Sequence, residues 1–114
     1  MLSAGQRLRR AEDFRLVMRQ GAKAGTRTAV VYLARTGDAN SMTGFAVSRA
    51  VGGAVVRNRV TRRLRAIMAD ELVELPLGSR VVIRALPDAA AASFAQLRDD
   101  VAGGIRRALA KADA

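Results

Sequence analysis

The sequence predicts an α+β fold in which helices pack on a small sheet, in the order helix, strand, strand, helix, strand, helix, with room for an extra short strand. Three observations carry this. Apolar residues recur at helical spacing in three segments bounded by Gly or Pro, and three other segments are rich in β-branched residues. Of 114 residues, 29 are Leu, Ile, Val or Phe, about a quarter of the chain and above the level at which charged chains stay disordered. A length of 114 suits a single domain spanning 1–114.

The first helix reads from Ala11 to Arg19, with Phe14, Val17 and Met18 on one face, Glu12 and Asp13 in the first turn, and Gly21 as its stop. Gly25 falls in the connection that follows. Ahead of the helix, Arg7, Arg9 and Arg10 read either as part of a flexible basic arm, 1–10, or as a solvated tail. Thr26 to Arg35 is strand-like, Thr36 to Met42 is a turn, and Thr43 to Arg49 is a second strand, expected to pair with the first as an antiparallel hairpin. A small-residue turn, Ala50 to Ala54, leads into a helix from about Val55 to Leu75. Its stripe is Val56, Val60, Leu64 and Ile67, with Met68 beside it. Pro76 and Gly78 end this region, and Ser79 to Ala85 is the third strand. Pro87 and Asp88 break the chain. Ser93 and Gln96 form a capping box that opens the last helix, Phe94 to about Ala110, with Phe94, Leu97, Val101, Ile105 and Ala108 inward. Gly103 and Gly104 weaken it by about 1 kcal/mol each against Ala.

The composition excludes most catalytic chemistry. There is no His and no Cys, so the chain builds neither a Ser-His-Asp triad, nor a Cys nucleophile, nor a thiolate and imidazole zinc site. It carries 20 basic residues against 10 acidic, a net charge of +10, and 18 of the basic residues are Arg. The charge is localised. Residues 1–37 carry eight basic and two acidic groups, 38–69 six and one, and 70–114 six and seven. Arg pairs bidentately with phosphate and stacks on bases, so a concentrated Arg patch points to nucleic acid. With no apolar run long enough for a signal peptide or a membrane span, the expectation is a soluble, cytoplasmic protein with no membrane partner. Nor is a small-molecule substrate expected.

The patch centres on Gly52 to Arg65, GGAVVRNRVTRRLR, where five Arg fall between positions 57 and 65 of a helix that opens on a glycine pair. Free amides and the positive dipole end at such a start favour anions, and the guanidinium groups add phosphate contacts. A solvated basic face without a ligand is the plain alternative, but like charges at this density repel unless an anion offsets them. The Walker pattern is absent, since Arg57-Asn58-Arg59 stands where Gly, Lys and Ser or Thr would be needed.

GFAVSR (Gly44 to Arg49) followed by GGAVVRNRVTRRLR resembles the bacterial ribonuclease P protein component, with support from RLRRAEDF (Arg7 to Phe14) and VVIRALP (Val81 to Pro87). The resemblance implies the small basic subunit of a ribonucleoprotein endonuclease that removes the 5′ leader from precursor tRNA. It implies a catalytic RNA partner that holds Mg2+, and a protein that has no activity alone and binds no cofactor itself. It implies a fold similar to the second domain of ribosomal small-subunit protein five, with a left-handed βαβ crossover that no periodicity predicts, since about 98% of such connections are right-handed. By position, Arg57, Asn58, Arg59, Arg62, Arg63 and Arg65 match the signature that meets the catalytic RNA. Phe14, Met18, Tyr32, Val47, Ser48 and Arg49 match the groove that receives the leader. The chain departs from the family pattern at Gly53, Thr61, Ala50 and Met18. The last two imply one fewer phosphate contact and weaker leader stacking.

Phe14 and Met18 read equally as core residues of an amphipathic helix, and the register of Tyr32 is open. Contacts from Arg80, Arg84, Arg106 or Arg107 also stay open. Two other functions compete with this reading: a ribosomal or RNA-chaperone module, and a self-sufficient metal-dependent nuclease. Dispersed carboxylates speak against the second, because a two-metal site needs several that converge.

Overall fold

Two strands of this chain are apolar without alternation, and the reason is that both faces of the sheet are covered. A computed structural model describes residues 2–114. It contains α1 (Ala11–Gln20), β1 (Ala22–Gly25), β2 (Ala29–Arg35), β3 (Met42–Ala46), α2 (Ala54–Glu71), β4 (Ser79–Ala85) and α3 (Phe94–Ala112). The strands form one sheet in the order β1-β2-β4-β3, in which only the β3–β4 pair is parallel. Val31 and Leu33 of β2 and Val81 and Ile83 of β4 face a large core closed by Val60, Leu64, Ile67 and Met68 of α2 and by Leu97, Val101, Ile105 and Ala108 of α3. The intervening Val30, Tyr32 and Val82 face a smaller cluster under α1, with Leu8 and Val17. Among the described residues, no helix is long and apolar enough to cross a membrane.

The expected hairpin between Thr26–Arg35 and Thr43–Arg49 does not form, because β4 lies between β2 and β3. A strand buried on both faces takes a central place in the sheet, and the 36–41 connection crosses over its start instead of turning tightly. Thr36 donates from both N and Oγ1 to the Gly78 carbonyl at 2.9 Å. Arg80 donates to the Asn40 carbonyl at 2.7 Å and to the Asp38 carboxylate at 2.6 Å. Gly78 has φ +82, and a Cβ there would lie 2.6 Å from the carbonyl oxygens of Thr36 and Asp38. That position therefore requires glycine.

The extra strand is β1, whose Ala-Lys-Ala-Gly sequence carries no β-propensity signal. It is held by the turn at 26–29, where the Thr26 hydroxyl donates to the Ala29 carbonyl at 2.8 Å and accepts from the Ala29 amide at 3.1 Å. Residues 2–10 are not a free arm. Leu2 and Leu8 are buried, Ala4–Gln6 form a 3-10 turn, and Arg7 bridges Thr43 beside β3. Only Met1 of that segment lies outside the described residues. The central helix ends at Glu71 and passes into a 3-10 turn, Leu72–Glu74.

The capping box at Ser93 is present, with the Gln96 amide donating to Ser93 Oγ at 3.0 Å and the Ser93 amide to Gln96 Oε1 at 2.8 Å. Phe94, expected inward, is 39% exposed. It lies a turn ahead of Leu97, where the stripe has passed the edge of the core, and the Arg98 guanidinium sits 6.0 Å from its ring centroid. Gly104 allows α3 to approach β2, since a Cβ there would lie 2.7 Å from Val31 Cγ2.

The adjacent glycines of α3 should respond oppositely to alanine. Gly103→Ala meets no crowding and stabilises by about 0.5–1 kcal/mol through helix propensity. Gly104→Ala destabilises by about 1–3 kcal/mol through overpacking on Val31. Urea unfolding of both variants checks this, and equal effects would contradict the close approach.

Candidate nucleic-acid interface

At about 100° per residue, α2 divides into a buried face and three others. Val60, Leu64, Ile67 and Met68 are buried. Directly opposite, Val55, Asn58, Arg62 and Arg65 are exposed, and with Thr61 they line a shallow hollow. On one flank, Arg59 Nη2 donates to the Ala90 carbonyl and Arg63 Nη1 to the Ala92 carbonyl, both at 2.9 Å. On the other flank Arg57 is half-buried, its Nε has no partner, and the Thr61 hydroxyl donates to its carbonyl at 2.8 Å.

Among the described residues, none of these guanidinium groups is paired with a carboxylate: the carboxylate pairs involve Arg10, Arg27, Arg35, Arg80 and Arg98, and no Arg of α2. Five cations on three turns of helix, without a counterion, form a concentrated positive field of the kind that attracts a polyanion. The Gly53 N-cap makes no side-chain bond to the first turn.

The second set of residues is arranged around α1 and is not gathered in one pocket. Phe14 is half-buried, and its ring rests on Gly44 of β3. A Cβ at position 44 would overlap that ring, 2.7 Å from Cε2 and nearer still to Cζ. One same-face step along β3, about 7 Å, is Ala46. There Ala46, Val47, Ser48 and Ala50 form a hollow with Arg84, Leu86 and Pro87. Ser48 and Arg49 are exposed, while Val47 leans on the large core.

Met18 and Tyr32 lie away from Phe14, across the sheet toward β1. They line a separate hollow with Arg15, Arg19 and Lys23. The register of Tyr32 is thereby settled: its ring faces α1, is 5% exposed, and has Lys23 Nζ at 5.9 Å from its centroid. Phe14 and Met18 both pack against the small cluster, as core residues of an amphipathic helix do, while keeping part of their surface open.

Arg84, whose contact the sequence leaves open, is one of the lining residues, and Leu86 and Pro87 are lining residues that sequence reasoning does not find. Alternation in Val82-Ile83-Arg84 already put Arg84 on the α1 side of the sheet, but only the parallel pairing Ala46↔Arg84 brings it beside Val47 and Ser48. Of the other open basic residues, Arg80 is tied to Asp38, and Arg107 donates to the Gly25 carbonyl at 3.0 Å. Arg106 is exposed.

Comparison with known proteins gives a consistent result. Residues 2–109 match the family described as Ribonuclease P. The chain is 52% identical to the ribonuclease P protein component of Acidothermus cellulolyticus, over 85% of this chain and 82% of that one. It is 47% identical to that of Streptomyces avermitilis, over 96% of each. Among solved structures it is similar to the RNase P protein of Thermotoga maritima, with a TM-score of 0.77 at 26% identity over 89% of this chain and 96% of that one. A Staphylococcus aureus RNase P protein mutant with defective mRNA degradation activity gives a TM-score of 0.83 at 22% identity, over 91% of this chain and 88% of that one. That last likeness speaks for the fold alone.

The seating of Phe14 on Gly44 is open to a direct test. Gly44→Ala should destabilise by about 1–3 kcal/mol, and adding Phe14→Leu should recover most of the loss. Strictly additive losses in the double-mutant cycle would mean that the ring does not rest on residue 44.

Proposed function

This chain belongs to the ribonuclease P protein component family, and we propose that it serves its holoenzyme through two surfaces, the arginine face of α2 for the catalytic RNA and the groove beside α1 for the 5′ leader. The protein is a subunit of the endoribonuclease that trims precursor tRNA to its mature 5′ end. The observation that carries the first assignment is the set of α2 arginines without an internal carboxylate. Arg57, Asn58, Arg59, Arg62, Arg63 and Arg65 lie on this helix, with Asn58, Arg62 and Arg65 outermost. A folded RNA is met mainly through backbone and shape, for which a rigid helix edge with guanidinium forks is suited.

The leader assignment rests on different chemistry. A single strand wants an aromatic face, apolar surface and scattered cations. Phe14 with its half-open ring, Val47, Ser48 and Arg49 supply these on one side of α1, and Arg84 adds a cation to that hollow. Met18 and Tyr32 supply apolar surface on the other side, with Arg15, Arg19 and Lys23 around them. Because Tyr32 is buried, Phe14 is the aromatic face that a base would use.

We assign the Mg2+ ions to the RNA and no catalytic step to the protein. Asp38, Asp88 and Asp113 pair with Arg80, Arg27 and Arg35, and Asp100 accepts from Thr28, so these carboxylates serve the fold rather than a metal. The protein's contribution is to hold the leader and offset phosphate charge, so that the RNA's metal ions bind productively.

Reconstitution tests the reading. With cognate catalytic RNA and precursor tRNA at low Mg2+, adding the protein should accelerate leader removal, and the protein alone should cleave nothing. Cleavage by the protein alone, or no effect of adding it, would refute the proposal. Affinity for the catalytic RNA should fall steeply with salt, and Arg62→Gln should flatten the dependence by roughly 0.7–0.9 units of log K per log salt. An affinity indifferent to salt would remove phosphate contacts from α2.

A further inference from the structure

We propose that Arg59 and Arg63 are positioning residues that tether the segment after β4 and so shape the leader hollow, while phosphates of the catalytic RNA are met by Arg62 and Arg65. This rests on α2 being the RNA face, and it divides that face. The sequence presents the arginines of α2 as equivalent. Their surroundings are not equivalent.

Residues 59 and 63 are one turn apart on the same flank. Their guanidinium groups reach the carbonyls of Ala90 and Ala92, each at 2.9 Å. These carbonyls lie at the end of the 3-10 turn Pro87–Ala90 and in the short link to α3, where no strand ladder supplies donors. Arg59 Nε is buried without a partner, so much of that fork is turned into the protein and away from any ligand. By contrast, Arg62 and Arg65 are exposed, and neither makes a hydrogen bond or ion pair among the described residues.

The tethered segment leads directly to the hollow. Leu86 and Pro87 form one wall of it, opposite Val47, Ser48 and Ala50. The Leu86 amide donates to the Thr28 carbonyl at 2.9 Å, which holds one end of the segment to the start of β2. Asp100 holds Thr28 in turn, accepting from its hydroxyl at 2.6 Å and its amide at 3.2 Å. Arg59 and Arg63 hold the other end to α2. The helix that meets the catalytic RNA thus also sets the wall of the site proposed for the leader. Lysine would not substitute fully, because its ammonium sits on a shorter stem and does not reach where the guanidinium nitrogen donates.

The test compares Arg59→Gln and Arg63→Gln with Arg62→Gln and Arg65→Gln. Three quantities are measured: the salt slope of binding to the cognate catalytic RNA, amide hydrogen exchange of residues 88–93, and the affinity ratio of saturated holoenzyme for precursor over mature tRNA. Arg62→Gln and Arg65→Gln should flatten the slope and leave exchange and ratio unchanged. Arg59→Gln and Arg63→Gln should leave the slope unchanged, raise exchange at 88–93 about tenfold or more, and lower the ratio several-fold. Arg59→Lys and Arg63→Lys keep the charge and guard against loss of folding. They too should raise exchange and lower the ratio. A flattened slope in the Arg59 or Arg63 variants, or an unchanged ratio, would overturn the proposal. If Arg62→Gln and Arg65→Gln leave the slope untouched, the RNA-face reading of α2 fails separately, and with it the division between the two pairs.

Discussion

Parallel pairing of β3 with β4 is the constraint on which the rest of the molecule depends. Adjacent parallel strands cannot be joined by a tight turn, so the chain between them must cross a face of the sheet. Here that crossing element is α2, and its position follows. One stripe of the helix must be apolar to cover β4, and the remaining circumference is free to carry charge. The same pairing aligns Ala46 with Arg84 and brings the ends of both strands to the entrance of α2. The hollow lined by Val47, Ser48 and Pro87 is a product of that alignment. The arginine helix and the hollow proposed for the leader are therefore neighbours for a topological reason.

The distribution of charge complements this arrangement. Seven of the ten acidic side chains lie in residues 70–114, and several serve internal contacts there: Asp100 with Thr28, Asp88 with Arg27, Asp113 with Arg35. Basic groups of α3 also turn inward to β1, where Arg107 and Lys111 donate to the carbonyls of Gly25 and Lys23. Exposed ion pairs such as these add little stability, at most about 1 kcal/mol each. Their larger effect is on the field: they cancel charge around the 70–114 region and leave uncompensated cations on α2 and, beside α1, at Arg15, Arg19 and Lys23. A polyanion is drawn to these positive surfaces and not to the near-neutral last part of the chain.

Helices and the central strand were legible because each is a local pattern. The α2 stripe, the Ser93 capping box and the Val81 to Ile83 run predict their elements without reference to the rest of the chain. The arginine signature was legible for the same reason, being a dense motif in a short window. β1 was not legible, since Ala-Lys-Ala-Gly becomes a strand only through pairing with β2. Nor was the packing of residues 2–10, which depends on the edge that β3 presents to Arg7. The Thr26–Arg35 and Thr43–Arg49 segments looked like a hairpin because neighbours in sequence commonly pair. A later strand with two apolar faces displaced that pairing.

By itself the amino-acid sequence determined the element types, the family to which the chain belongs, and the placement of charge on one helix. All three are encoded in composition and short-range spacing. Tertiary structure alone decided strand order, the burial of Tyr32, the seat of Phe14 on Gly44, and the separation of Arg59 and Arg63 from Arg62 and Arg65. Arg59 and Arg63 reach carbonyls 31 and 29 residues away, β3 pairs with β4 across the whole of α2, and Tyr32 is buried between α1 and Val82, so none of these is fixed by local spacing. A periodic pattern identifies which face of an element is apolar. It does not identify which distant carbonyl, ring or strand that face will meet, because that is set by the packing of the whole chain.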